Sequence, residues 1–523
     1  MSAGRRGAPG ADAGPGGDAG PVLLRGTFTA GPGPGGAACA LALTPRELQV
    51  RGPGGPDAAL RLADCVGCAA APAAAAAAAF SLVCYPVRGG RWGSPPARHR
   101  RESTFRVAVA PDAEGNLRIA RAWSDKIREL AAPAVPRPDG VSYGLLPRPC
   151  RALVLLNPLS GPGLALKDFQ AVVQPMLAEA DIAPTVFVTE RPQHAHEKVR
   201  DEDLAQWDAL VVMSGDGLLH EVVNGLMERR DWEAAVKKPL CILPGGSGNA
   251  LAASINHYAG NARAAKQELL TNCAFILCKG LHTQMDLVSL STASGKRLFS
   301  FLSFGWGFIS DVDIASEKYR KLGNARFTVG TIQHLARLRV YQGRLSYLPA
   351  DAAPGAERAE PPAPVPNGHA GSILPPAETE APGARGEGAL PEDSLLVPLQ
   401  QPVPAHWTVV PEEEFVFVYA IYQSHLGSDL LMAPAARLHD GRIHLFFLKA
   451  GVTRVMLLKL FLAMEKGTHL DLRCPHLRYV PVRAFRLEPR ASAGVMTVDG
   501  EALACEPVQG QVHGRLCRVV CGS

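Results

Sequence analysis

Three short apolar runs in this chain each break on a glycine-rich turn, and few folds accommodate that pattern. Ala152–Leu156 runs into Asn157-Pro-Leu-Ser-Gly-Pro-Gly163. Ala209–Met213 runs into Ser214-Gly-Asp-Gly-Leu-Leu-His-Glu-Val-Val-Asn-Gly225, and Cys241–Leu243 into Pro244-Gly-Gly-Ser-Gly-Asn-Ala-Leu-Ala252. A further short strand is expected at Val186–Val188, with helical stretches between the runs. Solid apolar strands alternating with helices predict a parallel α/β sheet. In such a sheet the strands' carboxyl ends share one edge, so the three turns converge there. Glycine lets backbone N–H groups approach phosphate oxygens, and a helix that follows adds a favourable dipole. The pattern therefore predicts a phosphate-bearing ligand. It is neither a Walker loop, since no GxxxxGK(S/T) occurs, nor a Rossmann fingerprint, and no kinase-type His-Arg-Asp is present. Asp216, between two glycines, is placed to meet a bound hydroxyl, because phosphoryl transfer needs positioning, metal and one proton acceptor. Taken alone, Asp216 would read as a turn or helix-cap residue. The neighbouring glycines and the two other loops favour the chemical role.

The rest of the chain divides by composition. With 523 residues there is room for about three domains. Hydrophobic residues at 47% and charged residues at 20% rule out wholesale disorder. A net charge of +5, from 54 basic and 49 acidic residues, is too weak a bias to indicate nucleic acid as a partner. Twelve scattered Cys and no signal-like start predict free thiols in a cytoplasmic setting. The CxxC at Cys65–Cys68 lacks the second ligand pair a zinc site needs. No apolar run reaches the ~18–20 residues of a membrane helix.

Residues 1–20, with seven Gly and five Ala, read as a disordered tail. Residues 21–131 alternate short β-like runs (Val22–Phe28, Cys39–Leu43, Leu48–Arg51, Phe80–Val87, Thr104–Val109) with Gly/Pro clusters. They close on Leu117–Leu130, where Leu117, Ala120, Trp123, Ile127 and Leu130 share a helical face. Strands followed by one amphipathic helix with a central Trp resemble a pleckstrin-homology-type module. The Ala tract 73–79 and the basic run Arg98–Arg101 read as inserted loops, the latter either solvated or touching a lipid headgroup. Residues 132–147 are Pro-rich linker, and 148–285 hold the α/β domain that carries the three turns. From 286 to 350 and from 401 to 523 short alternating strands predict an antiparallel β-rich domain. Residues 351–400, with ten Pro and eight acids, read as a disordered insertion.

The stretch Ser214–Gly225 resembles the signature of diacylglycerol-kinase-like catalytic domains. Leu145–Cys150, Gly246–Leu251, Trp306–Asp313 and Ser316–Arg320 narrow the resemblance to sphingosine kinases, over about 148–350 and 395–523. Asn256–Gly260 and Pro404–Val410 resemble the smaller, type 1 members, and the N-terminal module resembles the extension of type 2 members. The resemblance implies ATP-dependent phosphorylation of a sphingoid base at its primary hydroxyl, with Mg2+. It implies Asp216 as general base and a first nucleotide loop of Asn157, Ser160, Gly161 and Gly163. Thr189 and Glu190 would lie beside the nucleotide, Ser214, Gly215 and Gly217 around its phosphates, and Glu221 on the helix facing it. Gly246, Ser247, Gly248 and Asn249 would form the third loop. Arg320 and Arg326 would bind phosphate, with Glu317 holding Arg320, and Asp499, Gly500 and Glu501 would approach ATP and its magnesium. Asp313 would pair with the lipid's ammonium and Ser303 with its second hydroxyl. Phe308 and Ile309, with Leu302, Phe304, Leu426, Leu430, Leu431 and Met432, would line the tail tunnel. Leu159, Pro162 and Leu164 stand where many relatives carry basic residues. Further expectations are reversible association with the plasma or internal membranes, a homodimer, and, for the basic amphipathic stretch from Phe327 to Arg344, membrane contact or calmodulin binding as against a solvated domain helix. The competing readings are a ceramide or diacylglycerol kinase, an adaptor with an inactive kinase domain, and an NAD kinase.

Overall fold

The computed structural model describes residues 20–522 except 32, 34, 53–56, 90–95, 134, 136–140, 265, 317–324, 352–388 and 491–493. The expected tail up to residue 19, part of the expected linker and most of the expected insertion lie outside the described residues. Two compact units are present, one within the first 134 residues and one from Val135 onward.

The first unit is an antiparallel sheet of seven strands: β1 (Leu24–Ala30), β2 (Ala38–Leu43), β3 (Glu47–Arg51), β4 (Ala58–Arg61), β5 (Cys65–Pro72), β6 (Ala78–Cys84) and β7 (Arg101–Val107). Their order is β4-β3-β2-β1-β7-β6-β5. Helix α1 (Ala113–Ala131) starts where Asp112 accepts a hydrogen bond from the Gly115 N–H at 2.6 Å. Its Trp123 stands edge-on to Phe28 and stacks on Phe80, with centroids 5.2 and 5.8 Å away. The Ala tract is not a loop throughout. Ala78 and Ala79 belong to β6, where Ala78 is fully buried, and only the residues before them turn. Buried Asn116 holds that turn by donating to the Ala76 carbonyl at 2.8 Å. In the basic run, Arg98 is spent on Asp64 and the Tyr85 carbonyl, and Arg100 on Glu102.

The second unit opens with four parallel strands, β8 (Cys150–Leu156), β9 (Ile182–Val188), β10 (Ala209–Ser214) and β11 (Leu240–Pro244), in the order β9-β8-β10-β11. Helix α2 (Asp216–Met227) leaves β10 and α3 (Ala250–Tyr258) leaves the loop after β11. Burial on both faces explains the unbroken apolar runs of β10 and β11.

The remaining labelled elements are β12 (Leu281–Thr292), β13 (Ser303–Gly307), α4 (Phe308–Ser316), α5 (Ala325–Ala336), β14 (Tyr341–Pro349), β15 (Glu414–Ile421), β16 (Ile443–Lys449), α6 (Arg454–Met464), β17 (Leu477–Pro489), β18 (Met496–Val498), β19 (Glu501–Leu503) and β20 (Val508–Val520). Apart from a single parallel bridge between β20 and β11 at Leu240 and Val519, the strand pairs from β12 onward are antiparallel. The parallel and antiparallel halves thus share one continuous mixed sheet.

The insertion is structured at its far end. Trp232 donates to the Ala389 carbonyl at 3.2 Å, and Arg297 pairs with Asp393 at 2.8 Å. Buried Arg486 donates to the Val397 and Gln401 carbonyls at 2.8 and 2.6 Å. Leu395 and Leu396 pack on Leu348, Trp407 and Ala484. The reading of 351–400 as unable to pack therefore fails for 389–400, whose partners are distant in sequence.

Candidate active site

The three glycine turns meet. A Cβ on Gly161, whose φ is +53°, would lie 2.7 Å from the Gly245 carbonyl. One on Gly246 would lie 2.4 Å from the Gly215 Cα. Only glycine permits this approach of backbone to backbone. Ser160 ties the first turn to the second by accepting from the Gly215 N–H at 3.1 Å, with the Ser214 hydroxyl at the same distance. Asn249 tightens the third turn: it accepts from the Gly246 N–H and donates to its carbonyl, at 2.9 and 2.8 Å. Because the clash at Gly246 is with backbone, Gly246→Ala should displace the second turn at a cost of about 1–3 kcal/mol. The expected result is a loss of ATP affinity of about tenfold or more, read by calorimetric titration. Undiminished affinity would separate the turns from nucleotide binding.

These turns form one end of a cavity of about 620 Å³. It is lined by Asn157, Ser160, Gly161, Thr189, Glu190, Ser214, Gly215, Asp216, Gly217, Glu221, Gly246, Ser247 and Gly248. Asp499, Gly500 and Glu501 approach from the turn between β18 and β19, and a Cβ on Gly217 would lie 2.1 Å from a Glu501 carboxylate oxygen. The other end is apolar, with Leu302, Ile309, Val312, Leu426, Leu430, Leu458, Phe461 and Leu462. Ser303, Asp313 and Tyr419 stand in the same cavity.

Asp216 is the first residue of α2. Its carboxylate accepts from the Ala250 N–H at 2.9 Å and the Leu251 N–H at 3.2 Å, so it also caps α3. Burial pushes its pKa up to about 6, while the two N–H donors pull the other way. Burial likewise raises Tyr419, whose hydroxyl lies 2.9 Å from that of Ser303.

Asp499, at φ +51°, is a buried hub. It accepts from the Ser300 hydroxyl at 2.6 Å and from the Leu302 and Ser303 N–H groups at 2.9 and 3.1 Å. His220 Nδ1 of α2 lies 2.8 Å from its other oxygen. This carboxylate is occupied by protein, so Asp499 shapes the turn that presents Gly500 and Glu501.

Several expected contacts fall elsewhere. Gly163 does not line the cavity but turns the first loop at φ +77°, and Asn249 faces Gly246 rather than the cavity. Phe308 packs behind the wall on Phe461, at 5.7 Å between rings. Phe304 alternates into the sheet core against Phe485, Met432 joins the core around α6, and Leu431 lines a separate small hollow. Glu317, Arg320 and the Arg326 side chain lie outside the described residues. Among the residues missed from sequence are Val312, Tyr419, Leu458, Phe461 and Leu462 from the cavity wall, the charged Arg191, Asp429 and Glu465 on the same wall, and His220 from the hub. For His220 a signal existed, since it lies one helical turn after Asp216; the apolar ones resemble ordinary core positions.

The fit to a triphosphate rests on the turns, which a single methyl group would close. The fit to a cation rests on Glu221, whose Oε2 is buried without a hydrogen-bond partner while its side chain lines the cavity. Among the described residues no group of three or more His, Cys, Asp or Glu forms a metal cage by itself.

Residues 151–290 match the diacylglycerol kinase catalytic domain, and 409–521 match the YegS C-terminal NAD kinase beta sandwich-like domain. Sphingosine kinase 1 of Homo sapiens is 57% identical over 74% of this chain and 94% of its own length. The chain belongs to the sphingosine kinase family. Sphingosine kinase 2 of Homo sapiens is 40% identical over 84% of this chain and 80% of its own length, and sphingosine kinase 1 of Arabidopsis thaliana is 33% identical over 73% and 72%. Among solved structures, a diacylglycerol kinase from Bacillus anthracis str. Sterne aligns at 15% identity and TM-score 0.42 over 71% of this chain and 96% of that one. Among the described residues of this sphingosine kinase family member, no helix is long and apolar enough to cross a membrane.

Proposed function

We propose that this chain transfers the terminal phosphoryl group of ATP to the primary hydroxyl of sphingosine, giving sphingosine 1-phosphate and ADP. The observation that carries the reading is one cavity lined by the glycine cradle and Asp216, by an apolar wall, and by the carboxylate of Asp313. The hydroxyl oxygen attacks the γ-phosphorus, the bond to the β–γ bridging oxygen breaks, and the hydroxyl proton passes to Asp216. The backbone of the three turns holds the phosphates, aided by the amino terminus of α2. Mg2+, when bound with ATP, offsets phosphate charge; Glu221 and Glu501 are the residues suited to hold it. Asp313 pairs with the lipid's ammonium, Ser303 bonds its second hydroxyl through the pair it makes with Tyr419, and Leu302, Ile309, Leu426 and Leu430 receive the tail.

A glyceride carries no cation, so a carboxylate at the lipid end favours an amino alcohol over diacylglycerol. Labelled ATP offered with sphingosine, ceramide and diacylglycerol tests this. Sphingosine should be labelled well ahead of the other two; preferential labelling of a neutral lipid would overturn the assignment. Membrane contact in this reading is peripheral. The seven-stranded antiparallel sheet capped by α1 supports a pleckstrin-homology-like reading of the N-terminal unit, whereas the committed Arg98 and Arg100 lend no support to a headgroup site there.

A further inference from the structure

The geometry points to the exposed face of α6 as a docking surface for an anionic lipid bilayer, placed so that the lipid substrate passes from that bilayer into the cavity. The inference rests on the lipid kinase reading above and names the surface through which it operates.

Helix α6 is apolar on two opposite sides. Leu457, Leu460 and Met464 form a buried stripe against the β-rich core. Val455, Leu458 and Leu462, three and four residues apart, form a second stripe on the far side, with exposures of 66%, 40% and 57%. A helix in water keeps polar residues opposite its buried face. An apolar second face calls for a second apolar medium. Leu470 and Leu472, on the short turn that follows, extend the exposed apolar surface.

Two observations select a bilayer as the occupant. The first is continuity with the cavity: Leu458 and Leu462 are exposed and also line it, so they form its rim. A single-chain amphiphile dissolves poorly in water and resides in membranes. A rim of this kind lets it slide tail-first from lipid into the pocket without crossing water. The second is charge. Lys459 and Lys466 are exposed and flank the stripe. Arg454 donates to the Leu335 carbonyl at the end of α5, which brings exposed Arg337 and Arg339 alongside. The acids on this stretch are Glu465, at the cavity mouth, and Asp471. Basic residues beside exposed leucines are what an anionic interface recognises.

The test uses the full chain and sedimentation with phosphatidylcholine vesicles containing phosphatidylserine. Val455 and Lys459 do not line the cavity, so Val455→Glu and Lys459→Glu should each keep the parent's rate on sphingosine in detergent micelles, which also shows that they fold. Each should lower partitioning onto vesicles about tenfold, and the rate on vesicle-borne sphingosine in proportion. Variants that partition like the parent would overturn the proposal. So would a parent that phosphorylates micellar sphingosine yet ignores vesicles, or one whose stripe instead joins two copies in a dimer that Val455→Glu dissolves. Failure to phosphorylate sphingosine in either form would remove the kinase reading itself, a distinguishable result.

Discussion

Asp216→Asn should fold and bind ATP yet lose sphingosine phosphorylation by about a hundredfold to ten-thousandfold in kcat, the usual yield of a positioned general base. The substitution is nearly isosteric, and its carbonyl oxygen retains one of the two bonds from the Ala250 and Leu251 N–H groups. The lost half of the cap to α3 should cost about 1 kcal/mol, small against the loss of rate. Because capping and catalysis share one side chain, a melting curve must accompany the kinetics: a modest fall in Tm with ATP affinity intact assigns the rate loss to the missing base. The pH profile supplies the independent check. Burial raises the Asp216 pKa to about 6. A base works deprotonated, so kcat/KM should be level above that pH and fall as pH drops through it, to about a tenth of the plateau one unit lower. Undiminished product formation by the Asn variant would remove Asp216 from the reaction.

Asp313→Ala should raise the KM for sphingosine about tenfold to a hundredfold while leaving the KM for ATP nearly unchanged. A charge-assisted hydrogen bond to an ammonium is worth about 1.5–3 kcal/mol, and losing one translates into that range. Asp313 lies on α4 at the wall of the cavity, its carboxylate 3.8 Å from where a Cβ on Gly500 would stand. Asp313→Asn keeps the shape and removes the charge, so it should resemble the Ala variant if the ammonium is the partner. It should also narrow the gap between sphingosine and neutral lipids, since the discriminating charge is gone. A parallel rise in the KM for ATP would instead indicate general damage to the turn at Gly500.

The nucleotide end of the cavity was legible because its parts are local. Each glycine turn directly follows an apolar strand, and a parallel sheet forces those strand ends together. Asp216 could be placed from its neighbouring glycines together with the two other turns. Contacts made across the chain were not legible. His220 and Asp499 are 279 residues apart, and nothing near either announces the other. Tyr419 sits in an apolar strand and Leu458 and Leu462 in an apolar helix, where hydrophobicity does not distinguish core from cavity wall. The family resemblance puts Phe304 and Phe308 together in the tail tunnel, yet strand alternation turns the first into the sheet core and the start of α4 turns the second behind the wall. The Pro-rich composition of 351–400 hid the anchoring of its last residues, which depends on Arg297 and Arg486, far off in sequence.

The buried carboxylate of Asp499 has a consequence for how such an enzyme diverges. Asp499 holds the Ser300–Ser303 corner and α2 while setting the turn that carries Glu501. On the proposed reading, a change at that corner would alter substrate choice near the headgroup and nucleotide handling together. On the same reading, freedom to accept longer, shorter or bulkier lipids would reside at Leu458 and Leu462 of α6 rather than at Leu426 and Leu430, which flank Ser428, whose N–H donates to the Gly248 carbonyl of the third turn.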